Sequence, residues 1–128
     1  MSYTFSKTVD DSFDDAVERV TARLAEEGFG VLTTIDVSST LKNKLDVDFQ
    51  RYTILGACNP NYAYKALQAE DKIGVMLPCN VIVQQKDGEK VEVSAVDPMA
   101  SMQAVDNPSL GEIATEVKQK LQSVIEGL

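Results

Sequence analysis

The spacing of hydrophobic and polar residues predicts a chain of short strands and amphipathic helices. Alternation at every second position predicts strands over residues 3–9, 30–37 and 89–96. Strands are also predicted over residues 51–57 and over residues 73–85, which are rich in β-branched side chains. Apolar residues that recur every three or four positions predict helices over residues 12–28, 59–69 and 107–127. The predicted order is therefore β-α-β-β-α-β-β-α. Four or five strands with helices packed on one face indicate a two-layer α+β fold.

The ends of several predicted helices carry recognisable signals. Ser12 and Asp15 resemble a capping box at the start of the first helix, and Gly28 supplies a left-handed stop at its end. Asn107 followed by Pro108 is a typical start for the last helix. The polar stretch 38–48 predicts only a single helical turn. No linker or repeat interrupts the pattern, so we expect one domain over residues 1–128.

Pro78 disturbs the fourth predicted strand. Proline has no backbone N–H to donate to a neighbouring strand. We therefore expect the strand over residues 73–85 to be interrupted or bulged beside Cys79. This irregularity places a cysteine next to a break in the sheet and marks the segment as a candidate site.

The charge balance narrows the classes of partner. The chain has 20 acidic and 12 basic side chains, which gives a net charge of -8, and its basic residues are scattered. A phosphate backbone would be repelled, so we expect no nucleic-acid partner. The apolar runs are far shorter than the roughly 20 residues of a membrane helix, and the first residues lack a secretory pattern. We expect a soluble, cytoplasmic protein without a membrane partner.

The sequence contains no histidine. This excludes Ser-His-Asp triads and His-Glu-x-x-His metal sites. The two cysteines, at positions 58 and 79, form neither a Cys-x-x-Cys redox motif nor a four-cysteine zinc site. No metal and no cofactor can be assigned from spacing, and whether the protein is an enzyme stays open. Any chemistry would use thiols, carboxylates, lysine or tyrosine.

Cys58 is the better candidate for a reactive thiol. It directly precedes Asn59 and Pro60, where the predicted helix begins, and the N-terminus of a helix favours a thiolate over a thiol. The alternative is that Cys58 fills the corner between strand and helix as a small buried hydrophobe. Asn59 itself is most simply explained as the N-cap of this helix.

Cys79 lies inside an apolar run, where burial would make its thiol inert. We therefore expect Cys58 to react with alkylating reagents faster than Cys79. Two neighbouring strands could bring both thiols to one pocket, and a disulfide between them is conceivable, although a cytosolic setting argues against a permanent bond. Asn80, an amide in the same apolar run, needs either internal hydrogen-bond partners or a polar cleft.

Five stretches taken together resemble the domain-of-unknown-function 302 family. They contain the motifs Cys58-Asn59-Pro60, Pro78-Cys79-Asn80 and Asp97-Pro98, and they cover residues 30–36, 54–60, 77–81, 94–98 and 107–108. The resemblance extends over nearly the whole chain. One departure is Asp46, which stands where the family usually shows a glycine, at a turn.

The resemblance implies a small α+β fold similar to the TATA-binding-protein and Bet v 1-like group, with a curved antiparallel sheet crossed by a long helix. It also implies a bacterial or archaeal protein that associates as a homodimer and has no established activity. The family motif picks out a candidate site of Cys58, Asn59, Cys79, Asn80 and Asp97, together with Pro60 and Pro78.

Two functional hypotheses from different classes follow. In the first, the protein binds a small ligand, a sulfur species or a thiophilic metal at a two-cysteine site, with Cys58 as the more nucleophilic sulfur and Cys79 as its partner. In this hypothesis Asn80 orients the bound group. In the second, the protein is a non-enzymatic homodimeric structural or interaction module in which both cysteines are buried packing.

Overall fold

The computed structural model describes residues 2–128. These residues form five strands and five α-helices: β1 (Thr4–Val9), α1 (Phe13–Glu26), β2 (Gly30–Asp36), α2 (Val37–Leu45), β3 (Tyr52–Cys58), α3 (Pro60–Ala69), β4 (Cys79–Gln85), β5 (Val91–Val96), α4 (Pro98–Ser101) and α5 (Ser109–Glu126). Two short 3-10 helices occupy Ile73–Met76 and Asp87–Glu89.

The strands form one open antiparallel sheet in the order β1-β5-β4-β3-β2. The turn at Asp87–Glu89 joins β4 to β5, and Gly88 adopts a positive φ of 70° there, a conformation that glycine accepts without a steric penalty. The predicted α+β fold with an antiparallel sheet is therefore confirmed.

The core lies between one face of the sheet and helices α1 and α5. Its fully buried side chains come from every layer: Val20 and Leu24 on α1, Leu121 and Val124 on α5, and Val81, Val83, Val93 and Ala95 on the central strands. Their alternation along each strand matches a sheet that is covered on one side. Burial of this apolar surface is the main contribution to folding.

The opposite face of the sheet is more accessible, and we call it the open face. One row across it is aligned by the strand register and consists of Ser6, Ser94, Ile82, Ile54 and Ile35. Ile35 on the edge strand β2 is 47% exposed. The open face thus ends in a cluster of isoleucines toward β2.

The fourth strand is shorter than the sequence predicts. The expected interruption of residues 73–85 beside Cys79 is confirmed, but the part before it is not a strand, because Ile73–Met76 is a 3-10 helix and β4 begins only at Cys79. A cis peptide bond joins Leu77 to Pro78 just before the strand. Because Pro78 has no N–H to donate, the ladder cannot continue through it.

Helix α2 is longer than the single turn that the polar stretch predicts. Asp36 caps it, since its carboxylate accepts hydrogen bonds from the Ser39 N–H at 3.0 Å and from the Ser38 hydroxyl at 2.8 Å. The hydrogen bond from the Ser39 backbone, followed by those from the two hydroxyls, lowers the pKa of Asp36. The cap extends the helix to nine residues, yet none of them is buried.

The predicted ends of α1 and α5 are confirmed by their hydrogen bonds. Ser12 Oγ accepts the Asp15 N–H at 3.2 Å, and Gly28 follows α1 with a φ of 87°. Asn107 Oδ1 accepts the Ser109 N–H at 3.0 Å. Asp46 ends α2 in the left-handed conformation with a φ of 53°, a conformation that glycine adopts more easily than other residues.

Residues 2–128 include no helix that combines the length and the apolar composition needed to cross a bilayer.

Replacement of Gly56 by alanine should destabilise the fold, whereas the same change at Gly30 should not. A Cβ at Gly56 would collide with Thr33 Oγ1 and would lie 2.8 Å from Pro78 Cγ, while one at Gly30 would meet nothing within 4 Å. Overpacking costs about 1–3 kcal/mol, and the Gly30 variant should stay within about 0.5 kcal/mol of the parent. Urea denaturation measures both, and equal midpoints would contradict the close contact between Gly56 and Pro78.

Candidate functional site

A cavity of about 280 Å³ opens beyond the ends of β3 and β4. Its wall is almost entirely apolar, and we call it the apolar cavity. Helix α3 contributes Ala63 and Ala66, α5 contributes Val117, and Pro98 closes one side. A partly open space with this lining favours apolar groups over water.

Both cysteines line the apolar cavity. They lie at adjoining strand ends, because Cys58 is the last residue of β3, Cys79 is the first residue of β4, and the register sets Cys79 opposite Ala57. Both are free thiols, so the conceivable disulfide is not formed. Gly56 contributes indirectly, since the ring of Pro78 occupies the space that a side chain would fill.

The environments of the two thiols differ. Cys79 is 9% exposed, and burial, with a smaller contribution from Cys58, raises its pKa to about 11. It is therefore an uncharged thiol at neutral pH. Cys58 is half-buried at the last position of β3. This difference agrees with the expectation that Cys79 is the less reactive thiol.

Asn59 lines the apolar cavity and occupies the N-cap position of α3, but its side chain makes no capping hydrogen bond there. Its Nδ2 instead donates to the carbonyl oxygen of Glu27 at 3.2 Å, just beyond the end of α1. Gly28 permits this approach, since a Cβ there would lie 3.1 Å from Asn59 Nδ2. The predicted N-cap position is therefore confirmed, but a tertiary hydrogen bond to a helix-end carbonyl takes the place of the expected side-chain cap. Pro60 still occupies the first turn of α3, as predicted.

Asn80 and Asp97 are not part of the apolar cavity wall. Asn80 is exposed on the open face, opposite Gly56 in the register. Asp97 is 9% exposed and caps α4 by accepting the Met99 N–H at 3.0 Å. Its second oxygen lies 3.5 Å from Lys118 Nζ. The structure therefore brings together Cys58, Asn59 and Cys79 and leaves the other two candidates elsewhere.

Several cavity residues were not predicted as site residues. Leu32, Ala114 and Val117 line the wall, but apolar residues of this kind carry no sequence signal that separates a cavity wall from a core. Met102, which directly follows α4, also lines the apolar cavity.

Metal binding finds little support in the side chains. Within residues 2–128, no group of three or more histidine, cysteine, aspartate or glutamate residues is placed to hold a metal ion. A cysteine binds a metal ion as a thiolate, and burial opposes this form at Cys79 by raising its pKa to about 11.

Comparison with known proteins places the chain in a family. A family model described as "Domain of unknown function DUF302" matches residues 5–128. The chain belongs to the DUF302 family. A DUF302 relative, the uncharacterized conserved protein DUF302 from Bacillus stearothermophilus, has a crystal structure that matches with a TM-score of 0.91 and 28% sequence identity. The match covers 98% of this chain and 98% of that chain. No curated protein matches the sequence.

The raised pKa of Cys79 predicts a loss of stability at alkaline pH. An unperturbed thiol ionises near pH 9.0, whereas the pKa in the fold is about 11. Between these values the unfolded chain binds fewer protons than the native one, so the free energy of unfolding falls as the pH rises. The loss should be on the order of 1–3 kcal/mol between pH 9 and pH 11.

The Cys79→Ala variant isolates this contribution. At pH 7 it should be less stable than the parent by on the order of 1 kcal/mol, because it leaves a small void. It should then lose less stability than the parent as the pH rises. Urea titrations of both proteins at pH 7, 9 and 10.5 test this. If the free energy of unfolding falls equally with pH in both proteins, the pKa of Cys79 is not raised by the fold.

Proposed function

We propose that this DUF302 domain binds a small, mostly apolar ligand in the apolar cavity beside Cys58 and Cys79. The observation that carries the proposal is the cavity itself, with its volume of about 280 Å³ and its aliphatic, aromatic and thiol lining. Apolar pockets with few polar groups are the usual sites for small molecules in proteins.

The volume of the cavity limits the size of the ligand. An engineered apolar cavity of about 150 Å³ holds one benzene molecule. By proportion, a volume of about 280 Å³ accepts an apolar group of roughly ten carbon atoms. A longer molecule would extend through the mouth, where Leu32 is 69% exposed.

The buried, protonated thiol of Cys79 favours an apolar ligand over a metal or a sulfur-transfer reaction that uses both cysteines. Metal binding and nucleophilic attack on sulfur both need a thiolate. Burial raises the pKa of Cys79 to about 11 and leaves it uncharged at neutral pH. Cys58, which is half-buried and precedes α3, is the residue that would carry any thiol chemistry.

Filling the apolar cavity should abolish binding of an apolar probe. Ala63 is half-buried on α3 and lines the cavity, so Ala63→Leu would place about three additional carbon atoms in it. Naphthalene, with ten carbons, should bind the parent protein in a fluorescence titration. The Ala63→Leu variant should bind it at least tenfold more weakly.

A matched control is Ala22→Leu, at an exposed position of α1. It adds the same side chain far from the wall and should leave naphthalene binding unchanged. Thermal denaturation shows whether the Ala63→Leu variant is folded. Failure of the parent protein to bind naphthalene at all would reject the proposed function.

A second candidate function, the homodimeric module, is supported by the open face. The strand register places neutral side chains on it, and Glu92 is the one charged residue among the described positions that alternate onto this face. With a net charge of -8 the rest of the surface repels a second copy, whereas a neutral face does not. We propose that a second copy of the chain packs here.

The area of the open face suits a weak dimer. Strands about 4.8 Å apart and about 3.3 Å long per residue give five strands a planar area of roughly 500 Å² per partner, before surface relief is added. A standard interface buries about 800 Å² per partner, and transient ones bury less. Phe49, which is 47% exposed, lies 6.2 Å from the ring of Tyr52 and extends the face.

A lysine at the centre of the open face should disrupt this dimer. Ile82→Lys would bring two like charges together at a two-fold interface, whereas Gln119→Lys makes the same change of charge at an exposed position of α5. In sedimentation equilibrium at micromolar concentration, the parent and Gln119→Lys should show twice the mass of the chain and Ile82→Lys the monomer mass. A monomeric parent would reject the dimer and leave the fold intact.

A further inference from the structure

A second, more open space adjoins the apolar cavity. It has a volume of about 330 Å³ and lies between residues 99–108 and the first turns of α5. We call it the α5 groove. Its wall combines apolar residues such as Val105 and Leu110 with the exposed polar side chains of Gln103 and Asp106. The α5 groove offers about as much room again as the apolar cavity.

Two of the described residues, Met102 and Ala114, line both the apolar cavity and the α5 groove. Ala114 is 3% exposed on α5, and its methyl group is held by the helix backbone. Met102 is half-buried and packs against a cluster that includes Ala66 of the cavity wall and Leu110 of the groove wall. The long side chain of Met102 therefore supplies most of the boundary between the two spaces.

The backbone of Met102 is held in place through α4. Its N–H donates to the Pro98 carbonyl oxygen at 3.0 Å. Asp97 caps α4 and lies 3.5 Å from Lys118 Nζ on α5, and its own N–H donates to the Tyr3 carbonyl oxygen at 2.8 Å. These contacts tie α4 to α5 and to the chain just before β1. Asp97, which lies outside the cavity wall, thus positions the residue at the boundary.

From these contacts, and resting on the proposed function, we infer that Met102 determines the longest apolar chain that the site accepts. With Met102 in place the apolar cavity holds roughly ten carbon atoms, and any further methylene groups extend through the mouth into water. Once this side chain is removed, the ligand continues into the α5 groove instead. The ligand is therefore a chain of medium length, and Met102 excludes longer ones.

The test measures how tightly linear 1-alkanols of eight, ten and fourteen carbons, each below its solubility limit, displace naphthalene from the full chain. Each methylene group that moves from water into an apolar site strengthens binding about fourfold. In the parent, 1-decanol should bind at least tenfold more tightly than 1-octanol, but 1-tetradecanol less than threefold more tightly than 1-decanol. In Met102→Ala, 1-tetradecanol should bind at least tenfold more tightly than 1-decanol.

Ile113→Ala is the matched control for a cavity that is merely enlarged. It removes as many side-chain heavy atoms as Met102→Ala, and Ile113 lines the apolar cavity but not the α5 groove. Gly111→Phe separates the two effects, because Gly111 lines only the α5 groove and a Cβ there would meet nothing within 4 Å. Added to Met102→Ala, it should restore the parent's limit to within threefold. Added to Ile113→Ala, it should change nothing.

The outcomes separate this inference from the proposed function. If 1-tetradecanol binds the parent at least tenfold more tightly than 1-decanol, Met102 sets no limit and the inference is wrong, while the apolar ligand remains. The inference is also wrong if Met102→Ala keeps the parent's limit, or if Gly111→Phe affects both variants equally. If naphthalene does not bind the parent, the proposed function fails and the inference with it. Thermal denaturation checks each fold, and Met102→Val, which keeps more of the packing, serves if Met102→Ala does not fold.

Discussion

The missing backbone N–H of Pro78 is the constraint on which the site depends. It ends the β3–β4 ladder, so β4 cannot begin before Cys79. Gly56 leaves room for the proline ring on the neighbouring strand. Helices α3 and α5, instead of further strand pairs, then enclose the space beyond the sheet. The missing N–H of Pro78 thus sets Cys79 at the start of β4, where its thiol lines the apolar cavity.

Local signals predicted most of the fold. Helices α1 and α5 have regular apolar spacing and strong end residues such as Ser12 and Gly28, and both formed nearly as expected. The errors occurred where the secondary structure was predicted from side-chain types without a clear signal for the end of a helix or strand. Residues 73–76 contain β-branched side chains but form a 3-10 helix. Helix α2 is longer than the predicted single turn because Asp36 caps it, and this cap was not recognised from the sequence. In both places side-chain type was a weaker guide than backbone hydrogen bonding.

Only some of the site residues were predicted correctly, and there is a physical reason why the others were not. Cys58 and Cys79 line the same cavity because they lie at adjoining ends of β3 and β4. The predicted order of the strands was enough to suggest this. Asn59 was recognised as important but assigned to its own helix, whereas its partner, Glu27, is 32 residues away. Asn80 faces the other side of the sheet, since side chains alternate and a one-residue change of phase reverses the face. The local sequence pattern does not show which distant residue a side chain will contact, or which face of the sheet a given strand residue will occupy.

The absence of buried residues in α2 sets this helix apart from the rest of the domain. Little apolar surface opposes its opening, so its amides should exchange with solvent at a free energy far below that of global unfolding. The segment between β2 and β3 then behaves as a separate cooperative unit at the sheet edge. Insertions or proteolytic cuts there would be tolerated, because no residue of α2 lines the apolar cavity.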